Sequence, residues 1–421
     1  MKDYPELKLN YRKQFLVMTQ NEPTKINVKD LKRVLDHVIT NNKYIQEKGI
    51  MPVAINVIGD SGLGKTSVIK QVAYSHGFKP ENVVKRNLAA FEEIGDLIGI
   101  PLTEFKMTKK GEDGKFTYQW VKEPAIPTFE KLGFHVMNES RMGYSVPDWI
   151  AGKKGGGVLI LDDYNRASQR FTQAVMELIL EQEYASWKLP EGWTIILSSN
   201  PDNGSYNVTS QDSAQRTRQL SVNVKWDAEI WAEWAERHGV DSRCINFTLM
   251  NPEIVSDKTP DINARSITMF YNAIMSIPNF AEDSSLELIK LLGEGSMGDV
   301  FSTQFTAFIK HNMDKLITIK RMLDPAVPFS KIDEEMKASI GKGEKYRGDI
   351  AYVLATRLIN YAAVNFDGPV DQPILDRMKD ILSAKTLGSD LKFVIGKKIT
   401  DLESQAFFDL LMDQDIIDTI I

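Results

Sequence analysis

The sequence predicts an α/β protein with a doubly wound parallel sheet, followed by a mostly α-helical C-terminal portion. Three observations support this prediction. Apolar strand patterns alternate with helical patterns over about 190 residues, a glycine-rich loop joins the first strong strand pattern to a helix, and strand patterns cease near residue 241. Such alternation is typical of parallel sheets whose strands are buried on both faces.

Size and composition are those of an ordinary globular chain. Its 421 residues allow about two or three domains, and a formal charge of -6 provides no overall attraction to nucleic acid or to an anionic membrane. No segment approaches the roughly 18 consecutive apolar residues of a membrane-spanning helix, and the N-terminus lacks the apolar core of a signal peptide. Because the single cysteine, Cys244, cannot form an internal disulfide, we expect a reducing compartment and a cytoplasmic protein.

Residues 1–50 are expected to form an N-terminal helical entry segment. Apolar side chains recur at helical spacing behind Asn27, a candidate N-cap: Leu31, Val34, Leu35 and Val38. The apolar run PVAINVI, 52–58, then predicts a buried strand, and a helical pattern that stops at Gly77 follows the loop GDSGLGKTS, 59–67. The order here is therefore strand, loop, helix.

A hairpin inserted into the main fold is predicted at about residues 105–121. Its two arms flank the turn Gly-Glu-Asp-Gly, and Phe116, Tyr118 and Trp120 alternate as in a strand. This hairpin and the segment AAFEEIGDLIG, 89–99, are candidates for a surface that faces a substrate or partner. A hairpin that only packs on its own domain remains an equal alternative.

Further strands are predicted at 83–88, 158–163, 193–200 and 221–226. They complete an α/β domain over residues 51–240. A helical lid is expected over 241–315 and a C-terminal helical region over 316–421. Within the latter, the charged segment KIDEEMKASIGKGEKYRGD is expected to be either a mobile connection or an ordinary surface loop.

The loop at 59–67 fits the pattern G-x4-G-K-T between a strand and a helix, which indicates a nucleotide phosphate site. Glycines allow successive N–H groups and the helix N-terminus to face a phosphate. Lys65 is expected to reach the β and γ phosphates, and the Thr66 hydroxyl to complete a Mg²⁺ site. The residues expected to contact the nucleotide are Gly59, Asp60, Ser61, Gly62, Leu63, Gly64, Lys65, Thr66 and Ser67.

Hydrolysis also needs carboxylates at the end of a neighbouring strand. Asp162 and Asp163 end the run VLILDD, where Asp162 would hold the metal and Asp163 would polarise the attacking water. Asn200, at the end of WTIILSSN, could orient the same water. The alternatives are an acidic strand end that caps the next helix, and an asparagine that serves only a turn.

The ordered set GDSGLGKT, LILDDYNRA, LSSNPDNGSYNV, DSAQRTR and ARS resembles AAA+ ATPases, and among them the MoxR-like group, over roughly residues 50–275. The resemblance implies a P-loop nucleotide-binding domain with a helical lid, and ATP and Mg²⁺ as ligands. It also implies a chaperone-like remodelling ATPase that assembles as a ring, typically a hexamer, with ATP at each interface. The implied partner is a protein client, often beside a protein with a von Willebrand factor A domain.

Residue roles follow from motif position. Lys65 and Thr66 resemble the Walker A pair, Asp162 and Asp163 resemble Walker B, and Asn200 resembles sensor 1. Three arginines are candidates for a contact with the γ phosphate of a neighbouring subunit, with the first favoured as the arginine finger: Arg218, Arg216 and Arg166. Arg265 in NARS resembles the lid arginine called sensor 2.

Asp163 departs from the family, which usually has Glu at this position. One methylene less shortens its reach by about an ångström, and misplacement on this scale can cost about a hundredfold in rate. A nucleotide-dependent scaffold with little hydrolysis therefore remains open, as does a metabolic P-loop kinase that works as a monomer or dimer. Nucleic acid is not indicated as a partner, since no basic stripe with interleaved aromatics stands out.

The segment GEGSMGDV, 293–300, imitates the glycine loop of protein kinases. No strand lysine, H-R-D or D-F-G motif follows it, so a helix stop and turn is favoured. The aromatic pair Trp231 and Trp234 lies three residues apart on one helical face and is expected to pack rather than to stack on bases.

Overall fold

A computed structural model describes residues 23–184, 187–255, 259, 261–310, 316–365 and 371–400. The predicted entry segment lies partly outside these residues, because positions 1–22 are not among them. The chain divides into two compact units, Met1–Lys225 and Trp226–Ile421, and each unit is described by itself. The division falls before the boundary at 240/241 that the sequence suggests.

The described part of the first unit contains strands and helices in alternation. In chain order they are β1 (Thr24–Ile26), α1 (Val28–Gln46), β2 (Ala54–Gly59), α2 (Lys65–Ser75), β3 (Val83–Asn87), α3 (Gly95–Ile98), β4 (Pro101–Lys110), β5 (Phe116–Lys122), α4 (Ile126–Lys131), β6 (His135–Tyr144), β7 (Gly157–Asp162), α5 (Gln169–Glu181), β8 (Glu183–Tyr184), β9 (Trp187–Lys188), β10 (Trp193–Ser199), α6 (Ser213–Arg216) and β11 (Gln219–Val224).

Six of these strands form one parallel sheet in the order β1-β11-β2-β10-β7-β3. The predicted α/β class with a parallel sheet is thereby confirmed. The central strands are buried because both faces are covered, as the fully buried Ile55, Leu159 and Ile196 show. Because all six strands are parallel, their carboxyl ends lie along one edge, where a ligand site is expected in such sheets.

Helix α1 begins where its sequence indicates. The Asn27 side chain accepts a hydrogen bond from the Asp30 amide at 2.9 Å, which satisfies one of the free donors of the first turn. Leu31 and Leu35 are fully buried, and Val34 is half-buried. The short strand β1, which precedes this helix, was not predicted.

The inserted hairpin is larger than predicted. β4 and β5 flank the turn Gly-Glu-Asp-Gly, but β6 pairs with the other side of β4 and gives a three-stranded antiparallel sheet in the order β5-β4-β6. One face of this sheet buries Met107 and Val121, whereas Phe116 and Tyr118 are exposed. The sequence missed β6 because HVMNESRMGY lacks a regular alternation of apolar and polar residues.

The described part of the second unit is helical. Its helices are α7 (Ala228–Arg237), α8 (Ser242–Met250), α9 (Ala264–Ile274), α10 (Asp283–Met297), α11 (Asp299–Lys310), α12 (Ile319–Met322), α13 (Phe329–Ile340), α14 (Gly348–Asn365), α15 (Gln372–Ser383) and α16 (Ser389–Thr400). One hydrophobic cluster surrounds Phe247, Phe270 and Phe305, and a second surrounds Met336 and Leu354. None of the helices described in either unit is both long and apolar enough to cross a bilayer.

Two local predictions for this unit have different outcomes. The segment at 293–300 includes a helix stop, as expected, since α10 ends before Gly298 in the left-handed region at φ 87°. The charged segment that begins at Lys331 is neither a mobile connection nor a loop over most of its length. Helix α13 occupies it because Ile332, Met336 and Ile340 recur at a spacing of four residues and are buried.

Candidate nucleotide-binding site

The loop between β2 and α2 has a backbone that requires glycine at several positions. Gly62 and Gly64 adopt φ of 86° and 78°, in the left-handed region that side chains other than glycine disfavour. At Gly59 the constraint is space, because an added Cβ would lie 2.7 Å from the carbonyl oxygen of Val224 on β11. The loop therefore turns tightly between a central strand and the N-terminus of a helix, as an anion-binding loop must.

Lys65 lies in the first turn of α2, with its side chain folded over the loop. Its Nζ donates to the carbonyl oxygens of Gly59 at 2.5 Å and Asp60 at 2.9 Å, and the residue is 8% exposed. The ammonium group is thus held at the mouth of the glycine-rich turn. A phosphate bound to the loop amides would lie within reach of this charge.

Thr66 and Asp162 meet at the carboxyl edge of the sheet. The Thr66 hydroxyl donates to Asp162 Oδ1 at 3.4 Å, and Lys85 Nζ on β3 lies 2.6 Å from Asp162 Oδ2. Burial acts to raise the pKa of Asp162, but hydrogen bonds from Lys85 and Ser198 and the charge of Lys85 outweigh it and lower the pKa below its ordinary value. The carboxylate is therefore ionised at neutral pH.

Asp163 is held in a defined orientation directly after β7. Its backbone is left-handed, with φ 51° and ψ 36°, a region that asparagine and aspartate adopt more readily than most residues. Its Oδ1 accepts from Asn200 Nδ2 at 3.2 Å, and its Oδ2 accepts from Asn87 Nδ2 at 3.3 Å. Because β10, β7 and β3 are neighbours, one amide reaches the carboxylate from each side.

Asn200 is itself fixed by Asn165, which lies in the turn after β7. Asn165 Nδ2 donates to the Asn200 carbonyl oxygen at 2.7 Å, and the Asn200 amide donates to Asn165 Oδ1 at 3.0 Å. Both residues are buried. The two hydrogen bonds tie the end of β10 to the turn that carries Asp163.

Tyr206, in the segment after β10, contacts the glycine-rich loop. Its hydroxyl accepts from the Ser61 amide at 3.1 Å and donates to Asp60 Oδ1 at 3.3 Å. Burial raises the pKa of Tyr206, so the hydroxyl keeps its proton at neutral pH. The segment LSSNPDNGSYNV contains Tyr206, but its local pattern does not indicate that this side chain contacts residues 60 and 61.

The structure does not bring Arg218 to the loop of its own chain. Gln219, the next residue, pairs with Ala54 at the start of β2, whereas Val224 pairs with Gly59 at its end. A strand of six residues spans roughly 17–20 Å. Arg218 thus lies at the opposite edge of the sheet, where its Nη1 donates to the Ala214 carbonyl oxygen at 2.6 Å.

The other candidate arginines are exposed. Arg216 donates to the carbonyl oxygen of Gln211, and Arg166 lies in the turn after β7. Arg265 belongs to the second unit and is exposed in the first turn of α9. Their functional roles stay predictions.

The loop and the strand ends together fit a magnesium–nucleotide complex. Mg²⁺ prefers oxygen ligands and usually takes one or two from carboxylates, with phosphates and waters completing its shell. Asp162 and Thr66 supply a carboxylate and a hydroxyl next to the glycine-rich turn. Within the described residues, this site included, no group of three or more His, Cys, Asp or Glu side chains is placed to hold a metal ion.

Comparisons with known proteins yield only distant likenesses. No protein-family model and no curated protein matches the chain. Among solved structures, NtrX from Brucella abortus in complex with ADP has 14% identity, covering 94% of this chain and 73% of its own, with a TM-score of 0.36. A DNA polymerase III gamma subunit-related protein from Thermotoga maritima has 13% identity and a TM-score of 0.26. The match covers 94% of this chain and 99% of that protein.

A third solved structure, the T158V variant of RuvB from Thermotoga maritima, has 12% identity, covers 85% of this chain and 82% of its own, and has a TM-score of 0.28. TM-scores this low do not establish a common fold. The architecture described above therefore rests on the strand order and side-chain contacts of this chain.

Proposed function

We propose that this chain is an ATP-binding and ATP-hydrolysing AAA+ ATPase. The observation that carries the proposal is the convergence of Lys65, Thr66, Asp162, Asp163 and Asn200 at one edge of the sheet. β10 lies between β2 and β7, so Asn200 ends the strand between the glycine-rich loop and the paired carboxylates. This arrangement provides a phosphate cradle, a metal ligand and a base within one small region.

In the proposed reaction, the loop amides and Lys65 bind the phosphates, and Thr66 and Asp162 hold Mg²⁺. When bound, the metal ion neutralises charge on the phosphate oxygens. Asp163 orients the attacking water and accepts its proton. Asn87 and Asn200 contact opposite oxygens of this carboxylate, and therefore fix its direction relative to the loop.

Assembly as a ring is part of the proposal. Arg218 lies at the far edge of the sheet from its own loop, so a role at a γ phosphate requires the loop of a neighbouring subunit. A hexamer, membership of the MoxR-like group, a protein client and a partner with a von Willebrand factor A domain are supported only by the order of the sequence motifs. Lid function for the helices after residue 241 and a sensor role for Arg265 have the same support.

A nucleotide-dependent scaffold with little hydrolysis is the second candidate. It is favoured by Asp163, whose side chain is one methylene shorter than Glu and whose two oxygens are both engaged by asparagine amides. A metabolic P-loop kinase is a third candidate and would not need Arg218. Steady-state phosphate release separates the first two candidates, and nucleotide-dependent mass in solution separates the ring from the kinase.

Titration of the purified chain with a fluorescent ATP analogue, together with phosphate release, tests the proposal. Lys65→Ala should weaken nucleotide binding roughly 10- to 150-fold, since a hydrogen bond to a charged group is worth about 1.5–3 kcal/mol. Lys79→Ala removes the same charge from an exposed position and should bind as the unmodified chain does. Equal affinity of the two variants would reject a phosphate role for Lys65.

Tyr206→Phe is expected to tighten nucleotide binding. The phenol hydroxyl occupies the Ser61 amide, so a phosphate that uses this amide must first displace it. A neutral hydrogen bond is worth about 0.5–1.5 kcal/mol, which corresponds to a gain of roughly 2- to 12-fold in affinity. Tyr74→Phe on the exposed side of α2 is the control, and weaker binding by Tyr206→Phe would show that the hydroxyl assists the nucleotide instead.

A further inference from the structure

Lys85 occupies the side of Asp162 that faces away from Thr66. Its Nζ lies 2.6 Å from Asp162 Oδ2, and the Thr66 hydroxyl reaches the other oxygen of the same carboxylate. The side chain of Lys85 is 39% exposed and that of Asp162 is 14% exposed. The pair therefore lies at the edge of the site, with the carboxylate inside and the ammonium group toward solvent.

The strand pairing explains this placement. Lys85 is paired with Ile160 on β7, two residues before Asp162, so its long side chain runs along the strand toward the carboxyl edge. Asn87, two residues later on the same face of β3, reaches Asp163. Arg86, between them, points to the other face and contacts Asp148. β3 thus supplies one polar contact to each of the two aspartates.

The pair has a direct consequence for a metal ion. A divalent cation held by Asp162 and Thr66 would bring two positive charges close to the ammonium group of Lys85, and like charges at such distances repel. The two cations compete for one carboxylate. Because Lys85 is partly exposed, its four-carbon chain can move into solvent without the loss of buried packing.

We propose that Lys85 is a positioning residue that holds Asp162 before nucleotide binds and yields the carboxylate to Mg²⁺ when the metal–nucleotide complex arrives. This inference rests on the proposed function. Because the ammonium group of Lys85 competes with Mg²⁺ for Asp162, it raises the Mg²⁺ concentration that is needed for tight nucleotide binding. Lys85 is not expected to contact the nucleotide itself.

The test is nucleotide affinity measured with a fluorescent ADP analogue, first in chelator and then across a Mg²⁺ series, for the unmodified chain, Lys85→Met and Lys85→Arg. Lys85→Met should lower the Mg²⁺ concentration for half-maximal tightening about two- to fivefold and leave affinity in chelator unchanged. Lys85→Arg keeps the charge and should follow the unmodified chain. Lys79→Met controls for the loss of one positive charge.

A second readout needs no nucleotide. Mn²⁺ binding, followed by electron paramagnetic resonance, should be tighter in Lys85→Met than in the unmodified chain, and circular dichroism of both chains checks that the variant keeps its fold. An unchanged metal dependence, or a loss of affinity that is the same with and without Mg²⁺, would overturn the role of Lys85. Absence of nucleotide binding by the unmodified chain would instead reject the proposed function.

Discussion

Arg218→Ala should lower ATP turnover of the assembled protein about a thousandfold or more, with nucleotide affinity unchanged. The reason is the position of this arginine at the amino end of β11, roughly 17–20 Å along the strands from the loop of its own chain. A side chain at that edge cannot contact its own nucleotide. Phosphate release and nucleotide binding, measured on the same preparation, separate the two effects.

A mixing experiment tests whether Arg218 acts on a neighbour. Arg218→Ala and Lys65→Ala are each expected to be inactive alone, but a mixture should recover part of the turnover. In a mixed ring, some interfaces combine an intact phosphate loop with an intact Arg218. Arg33→Ala, an exposed change on α1, is the matched control, whereas Arg216→Ala tests the alternative candidate. Nearly normal turnover of Arg218→Ala in the assembled protein would reject the assignment.

Asp163→Asn should lower turnover about a hundredfold to ten-thousandfold, the usual contribution of a general base, and keep ATP binding. Asparagine matches aspartate in size and also tolerates the left-handed backbone at this position, so the fold should be preserved. Asp202→Asn, an exposed change beyond β10, is the control. Turnover near that of the unmodified chain would mean that Asp163 is not the base. If Asp163→Asn instead binds ATP without hydrolysing it, this variant would be suited to capture a client.

Asp163→Glu distinguishes two explanations for the short carboxylate. A rise in turnover would mean that the missing methylene limits hydrolysis, and the scaffold candidate would gain support. A loss would mean that the left-handed backbone and the amides of Asn87 and Asn200 already place the shorter side chain correctly. A longer side chain would then disturb a geometry in which about an ångström matters.

The sequence predicted those parts of the site that depend on one strand and its following loop. Lys65 follows the loop after one strongly apolar run and Asp162 ends another, so their edge of the sheet followed from the parallel arrangement alone. Lys85, Asn87 and Tyr206 were missed because their contacts depend on which strands are neighbours and on where a long connection returns. Such information is not contained in local periodicity.

The fold outside the site shows the same limit. Helix α13 and strand β6 were missed for opposite reasons: the first has a clear helical period obscured by many charges, and the second has no clear period. The three-residue strand β1 is too short to produce a pattern. By contrast, α1 was predicted because its cap, Asn27, and its apolar face are both visible in one local segment.

Gly59 has a further implication for how divergent copies of this chain should be interpreted. The atom nearest to a methyl group at this position is the carbonyl oxygen of Val224 on β11. Sheet packing alone therefore forbids alanine here. A related chain that no longer binds nucleotides would still need this glycine. A retained Gly59 therefore indicates that the sheet is intact, whereas a retained Lys65 would indicate that nucleotide binding is intact.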